Sequence, residues 1–166
     1  MKRTGKSGWL RRASALLLLL ALALSGCAAP AEKTQTEKTA AYLMDTVTEP
    51  SCGSVGGEWA VIGLARAGCA VKDGYFEGYY DRLCETLRAC GGVLDARKNT
   101  EYSRVILALT AIGKDPSDVA GYDLLLPLAD HEQTLWQGLN GPIWALIALD
   151  AGAYAIPQTV SGTQAS

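Results

Sequence analysis

One stretch of the sequence, residues 101–113, limits the fold most strongly because it is apolar on almost every side of a helix. Such a helix is stable only when other elements cover nearly all of it. Asn99 or Thr100 is expected to cap its start, and Gly113 suits the left-handed residue beyond its end. The residues that recur at helical spacing are Tyr102, Val105, Ile106, Leu109 and Ile112. The stretch therefore predicts a central, buried helix.

Two further stretches, residues 59–68 and 143–152, are equally apolar and also end at glycine. The terminal glycines Gly68, Gly113 and Gly152 lie 45 and 39 positions apart, a period typical of a repeated helical hairpin. No segment shows the alternation of apolar and polar residues that a half-buried strand requires. The pattern predicts three core helices in an all-α domain.

Each core stretch is preceded by a segment with one apolar and one polar side, namely residues 36–48, 74–90 and 122–137, the last interrupted by Pro127. A two-sided helix suits a surface, whereas an apolar helix must lie between layers. Alternation of the two predicts an outer and an inner row of helices, which is a partial α/α toroid of about three outer/inner helical hairpins. An ordinary helical bundle remains the alternative.

Residues 1–26 have the pattern of an export signal. A basic segment, residues 1–12, precedes an apolar run, residues 13–24, which is shorter than the roughly 20 residues of a membrane-spanning helix. The run closes with Leu-Ser-Gly-Cys, which resembles the lipobox of bacterial lipoproteins. That resemblance implies cleavage before Cys27, acylation of its thiol and anchorage to the outer face of the cytoplasmic membrane. The alternative is an ordinary signal peptide with a chance cysteine.

Composition and charge describe the rest of the chain. Residues 27–38 have too little apolar surface to fold and are predicted to be a tether to a domain of residues 39–155, which a flexible tail of residues 156–166 follows. Without the predicted signal the chain keeps 10 basic and 17 acidic residues, a formal charge of −7. Nucleic-acid-binding domains carry clustered basic residues instead, so we expect no nucleic-acid partner.

Three segments, residues 56–66, 100–116 and 137–150, resemble bacterial cell-surface proteins with the α/α toroid of terpenoid cyclases and protein prenyltransferases. Related toroids include squalene–hopene cyclases and the cobalamin carriers of the transcobalamin and intrinsic-factor type. The resemblance implies about twice as many hairpins as this chain has, so we expect an N-terminal fragment. Its open flank is then expected to be covered by the remaining toroid half or by self-association.

The resemblance also implies a ligand cavity at the end where the core helices begin. The residues at that end are Glu58, Trp59, Glu101, Tyr102, Arg104, Gln137, Asn140 and Trp144. Aromatic side chains with a few polar groups suit a small, largely apolar or ring-shaped ligand. Structural roles are the alternative, because first-turn glutamates stabilise a helix dipole, Asn140 suits a helix cap, and Glu101 and Arg104 are spaced as an ion pair.

Other reactive residues give weaker signals. Asp115 and Asp118 are spaced to share a divalent ion, but the proline between them favours a turn. His131 is the only histidine and is predicted at a helix start or on the surface. The four cysteines after Cys27 lack the spacing of a metal site, and both free thiols and disulfides remain open.

Three classes of function remain open. A lipid-anchored binding domain needs no catalytic acid, and the sequence shows neither a catalytic acid nor a metal motif; cobalamin is a ligand suggested by family analogy alone. An enzyme of the cyclase or prenyltransferase class would need acidic or metal-binding motifs, which the resemblance places in the missing half. A structural surface protein would bind no ligand.

Overall fold

A computed structural model describes residues 32–157, which contain six α-helices and one 3₁₀ helix. They are α1 (Gln35–Thr46), α2 (Gly57–Ala67), α3 (Tyr75–Cys90), α4 (Asn99–Ala111), the 3₁₀ helix (Leu126–Ala129), α5 (His131–Leu135) and α6 (Asn140–Ala151). Within the described range there is no strand, only an isolated bridge between Val119 and Tyr122. The prediction of an all-α fold is confirmed.

The N-terminal predictions lie largely beyond this range. The predicted signal, Cys27 and residues 28–31 of the tether are outside the described residues, as are residues 158–166 of the predicted tail. Because α1 begins at Gln35, the last four residues assigned to the tether are helical. None of the helices in residues 32–157 combines the length and apolarity needed to cross a bilayer.

Helix α4 lies at the centre of the domain, as its sequence predicts. It packs against α2 and against α6. Val105, Ile106 and Leu109 are completely buried, which satisfies the requirement that an all-apolar helix be covered. After α4 ends, Gly113 takes a left-handed conformation with φ 73°, and the next amide, that of Lys114, donates to the Leu109 carbonyl at 2.9 Å.

The first two outer helices cover this core. Helix α1 packs on α2, and α3 places Tyr79, Leu83 and Leu87 in the core with no exposed surface. Two side chains also fix α3 to the loop after α1. The Tyr75 hydroxyl donates to the Val47 carbonyl at 2.7 Å, and Arg82 Nε donates to the Pro50 carbonyl at 2.8 Å.

The prediction of a third outer helix at residues 122–137 is wrong in its extent. The Asp123 carboxylate accepts from the Leu125 amide at 2.8 Å, which holds a turn where the helix was expected to begin. Pro127 then sits in the 3₁₀ helix, and Asp130 caps the five-residue α5 by accepting from the Gln133 amide. Local side-chain bonds thus compete successfully with a continuous helix.

The expectation that Asn99 and Asn140 cap helices is also wrong. Asn99 is the first residue of α4, and its side chain donates to the Pro127 carbonyl and the Thr134 hydroxyl, while Asn140 is the first residue of α6. Helix α6 is less covered than α4, because Ile143, Leu146 and Ile147 are exposed. Helix α4 covers one side of α6, and α5 covers part of another side. The apolar character of a helix does not by itself predict how many of its sides are packed against other elements.

Candidate functional site

The starts of the three core helices meet at one end of the domain. Glu58, the second residue of α2, contacts Arg104 in the second turn of α4. Trp59, the next residue of α2, contacts Trp144 near the start of α6. These two contacts connect α2, α4 and α6 at the ends where all three helices begin, and they bring together four residues of the predicted site.

Arg104 holds two carboxylates from different helices. Its Nε donates to Glu58 Oε2 at 3.2 Å, and Nη1 and Nη2 donate to the two carboxylate oxygens of Glu101, one turn earlier on α4. Burial alone would lower the pKa of Arg104, but the carboxylates of Glu58 and Glu101 outweigh it and raise that pKa above its ordinary value. We call Glu58, Glu101 and Arg104 the ion triad.

Glu58 is the buried member of the ion triad, with no exposed surface. The loop before α2 closes over it, and the Gly53 amide donates to its Oε1 at 2.8 Å. Its position in the first turn of α2 also offsets the partial positive charge of that helix end. A buried charge needs several such partners, and Glu58 has an amide, a guanidinium and a helix terminus.

Cys52 and Tyr79 lie beside Glu58 and were not predicted from the sequence. Burial and the neighbouring Glu58 carboxylate raise the pKa of Cys52 to about 12. Burial, then Glu58, also raises the pKa of Tyr79, whose buried hydroxyl has no hydrogen-bond partner in the described structure. In the sequence, Tyr79 is one member of an apolar stripe and Cys52 one residue of a glycine-rich loop, so neither gives a signal of its own.

The aromatic pair, Trp59 and Trp144, is the apolar part of the site. Their ring centroids are 5.6 Å apart with the ring planes at 61°, an edge-to-face arrangement that aromatic rings prefer. Trp59 remains 49% exposed despite this contact. An indole that is half exposed at the meeting point of three helices offers contact area to a ligand rather than filling the core.

The other three predicted residues are placed differently. Gln137 accepts from the Thr100 hydroxyl at 3.0 Å, which connects the loop before α6 to the start of α4 beside the ion triad. Asn140 is exposed at the start of α6. Tyr102 is buried, and its hydroxyl accepts from the Leu94 amide at 3.1 Å and donates to the Gly92 carbonyl at 3.2 Å, so it holds the loop before α4.

A cleft of about 790 Å³ lies at the opposite ends of α4 and α6. Its lining combines the charged groups of Lys114, Asp115 and Asp123 with apolar Leu125 and Leu126. The volume falls in the range of small-molecule sites. The sequence placed the ligand cavity at the other end, so the domain offers two locations for a ligand.

The weaker sequence signals have structural roles. Asp115 accepts from the amide and hydroxyl of Ser117, and Asp118 from the Gly121 amide, so both aspartates form turns as the proline predicted. His131 is exposed at the first position of α5, also as predicted. In residues 32–157 there is no group of three or more potential ligands that could hold a metal, and the four cysteines there are free thiols.

Comparison with known proteins gives no relative for this chain. No family model matches it, and neither the curated proteins nor the solved structures contain a significant match.

Proposed function

We propose that this chain is an exported, lipid-anchored domain of a partial α/α toroid that binds a small, largely apolar or ring-shaped ligand at the bacterial cell surface. The observation that carries the proposal is the contact of Trp59 with Trp144 beside the ion triad, where three core helices begin. Apolar contact area with a few fixed polar groups is the usual composition of a small-molecule site. Attachment through Cys27 and export rest on the sequence pattern alone.

The ion triad supports a binding role in a second way. Three donors of Arg104 already serve the two glutamates, so the guanidinium is held in one orientation before any ligand arrives. Groups held in place lose little conformational freedom on binding, and this favours affinity. A ligand with an apolar body and a few polar substituents fits the combination of indoles and fixed charges.

Tryptophan fluorescence tests this proposal. Cobalamins and polyprenyl diphosphates are titrated into the chain purified in mild detergent, with free tryptophan as a blank for light absorption by the ligand. We expect saturable quenching without turnover. Because the double variant Trp59→Phe/Trp144→Phe also lacks the reporting indoles, its ligand binding is measured by equilibrium dialysis, and we expect it to be weaker than that of the wild type. The matched control is Trp136→Phe, because Trp136 is similarly exposed but contacts Arg97 instead.

Each alternative gives a different result. Product formation from a polyprenyl diphosphate would favour an enzyme of the cyclase or prenyltransferase class. A ligand that binds equally well to the double variant would use the cleft at the other ends of α4 and α6. The absence of any response to either ligand class would contradict the proposal and favour a structural surface protein.

A further inference from the structure

One face of α6 is apolar and exposed, although the helix belongs to the core row. Four aliphatic side chains form this face, with exposed fractions of 78% for Leu139, 52% for Ile143, 60% for Leu146 and 45% for Ile147. Their spacing of four, three and one residues places them on one side of a helix. Isolated exposed leucines are ordinary, but a continuous stripe of this kind indicates an interaction surface. We call it the α6 stripe.

The charges at the two ends of the α6 stripe have opposite signs. No charged residue occurs from Leu139 to Leu149, and the first turn of α6 contains no acidic residue and no side-chain cap. No side chain of the first turn therefore offsets the partial positive charge of this helix end. At the other end Asp150 is exposed, and its spacing from Ile143 and Leu146 places it on the same face.

This pattern is complementary to itself, and we propose that the α6 stripe joins two copies of this chain as an antiparallel helix pair. A two-fold axis between Ile143 and Leu146 places Ile143 of each copy against Leu146 of the other. The same axis brings each Asp150 beside the start of the other α6, where negative charge is favourable. The uncharged centre lets two acidic chains meet without bringing like charges together.

The size of the surface sets the strength of the pairing. Helix α6 has 12 residues, so the contact is about 18 Å long. One pair of such helices buries less than the roughly 800 Å² per partner of a standard stable interface. The dimer is therefore weak and concentration-dependent. Trp144 lies about 100° around the helix from Ile143 and contacts Trp59, so pairing leaves the aromatic pair in place.

Co-purification of two differently tagged full-length copies tests the pairing. Leu146→Glu places a charge against Ile143 of the other copy, and we expect the amount of co-purified partner to fall roughly fivefold or more. The matched control is Tyr42→Glu, because Tyr42 is 67% exposed on α1, away from the α6 stripe. Helix content measured by circular dichroism should stay unchanged for both variants, since both positions are exposed.

A charge pair then tests the orientation. One copy carries Leu146→Glu and the other Ile143→Lys; their mixture should recover co-purification to within about twofold of the wild type, because the antiparallel pair brings these positions together. Each variant with a copy of itself should stay weak. The proposal is overturned if wild-type copies do not co-purify, if Leu146→Glu has no more effect than Tyr42→Glu, or if the mixed pair gives no recovery.

Discussion

At the scale of single residues, Glu58 belongs to the candidate site and also contributes to the stability of the domain. Its carboxylate accepts one bond from the loop before α2 and one from Arg104 of α4, with no exposure to water. Glu101 accepts from the same arginine, but its side chain is 25% exposed. The ion triad therefore contains two carboxylates of the same chemistry in different surroundings, which makes them a matched pair for mutation.

We expect Glu58→Ala to lower the free energy of unfolding by about 2 kcal/mol, because it leaves the part-buried Gly53 amide unpaired and the Arg104 guanidinium with one partner fewer. Glu101→Ala should cost less than about 1 kcal/mol, since the ion pair of Glu101 with Arg104 is partly exposed to water and such pairs contribute less than buried ones. Urea unfolding at low and high salt measures both losses. Only the decrease in unfolding free energy caused by Glu101→Ala should become smaller at high salt. Equal decreases for the two variants would mean that water reaches Glu58.

At the scale of elements, two helical glycines show how closely the helices approach. A Cβ at Gly141 of α6 would overlap the carbonyl oxygen of Thr134 in α5, whereas a Cβ at Gly63 of α2 would meet nothing within 4 Å. Gly141→Ala should therefore destabilise the domain by about 1–3 kcal/mol by pushing α5 from α6. Gly63→Ala should stabilise it by about 1 kcal/mol, because alanine favours a helix.

Thermal unfolding of the two glycine variants measures these effects under the same conditions. The two substitutions add the same methyl group to helices of similar length, so the difference between them reports the contact between α5 and α6. A stabilising Gly141→Ala substitution would show that these two helices do not lie as close as described.

The sequence predicted the elements whose pattern is long and consistent. Helix α4 and α3 repeat their apolar positions over 13 and 16 residues, and both lie where the periodicity placed them. The region of residues 112–135 was not predictable in the same way. The proline after Asp115 predicted one turn there, but Asp123 and Asp130 also bond to nearby amides and form turns, and a hydrophobic pattern does not report such local bonds.

Part of the candidate site was expected from the resemblance to α/α toroids rather than from periodicity. That resemblance implies a ligand cavity where the core helices begin, so Glu58, Trp59 and Arg104 were expected together, and the structure places them in two neighbouring contacts. The partners that bury Glu58 were not expected. Gly53, Cys52 and Tyr79 come from a loop and an outer helix, and their approach depends on tertiary packing rather than on spacing along the chain.

At the scale of the whole molecule, the proposed location depends on Cys27. Cells fed an alkyne-tagged fatty acid should label the wild-type chain, and mass spectrometry should find an acylated N-terminus at Cys27. Cys27→Ser should lose the label, because serine offers no thiol for acyl transfer. The matched control is Cys90→Ser, which removes an exposed thiol and should keep the label. A labelled Cys27→Ser chain, or a wild-type chain that retains residues 1–26, would contradict lipid anchorage.

The partial burial of Cys52 beside Glu58 has a consequence for how the chain reacts with oxidants. Oxidants attack thiolates, and with a pKa raised to about 12 the Cys52 thiol stays protonated at pH 8. Cys90, exposed at the end of α3, is open to the same reagents. Sulfenic acid should therefore form at the exposed Cys90 before it forms at Cys52. Oxidation would then modify the surface of the domain first and leave the surroundings of Glu58 unchanged.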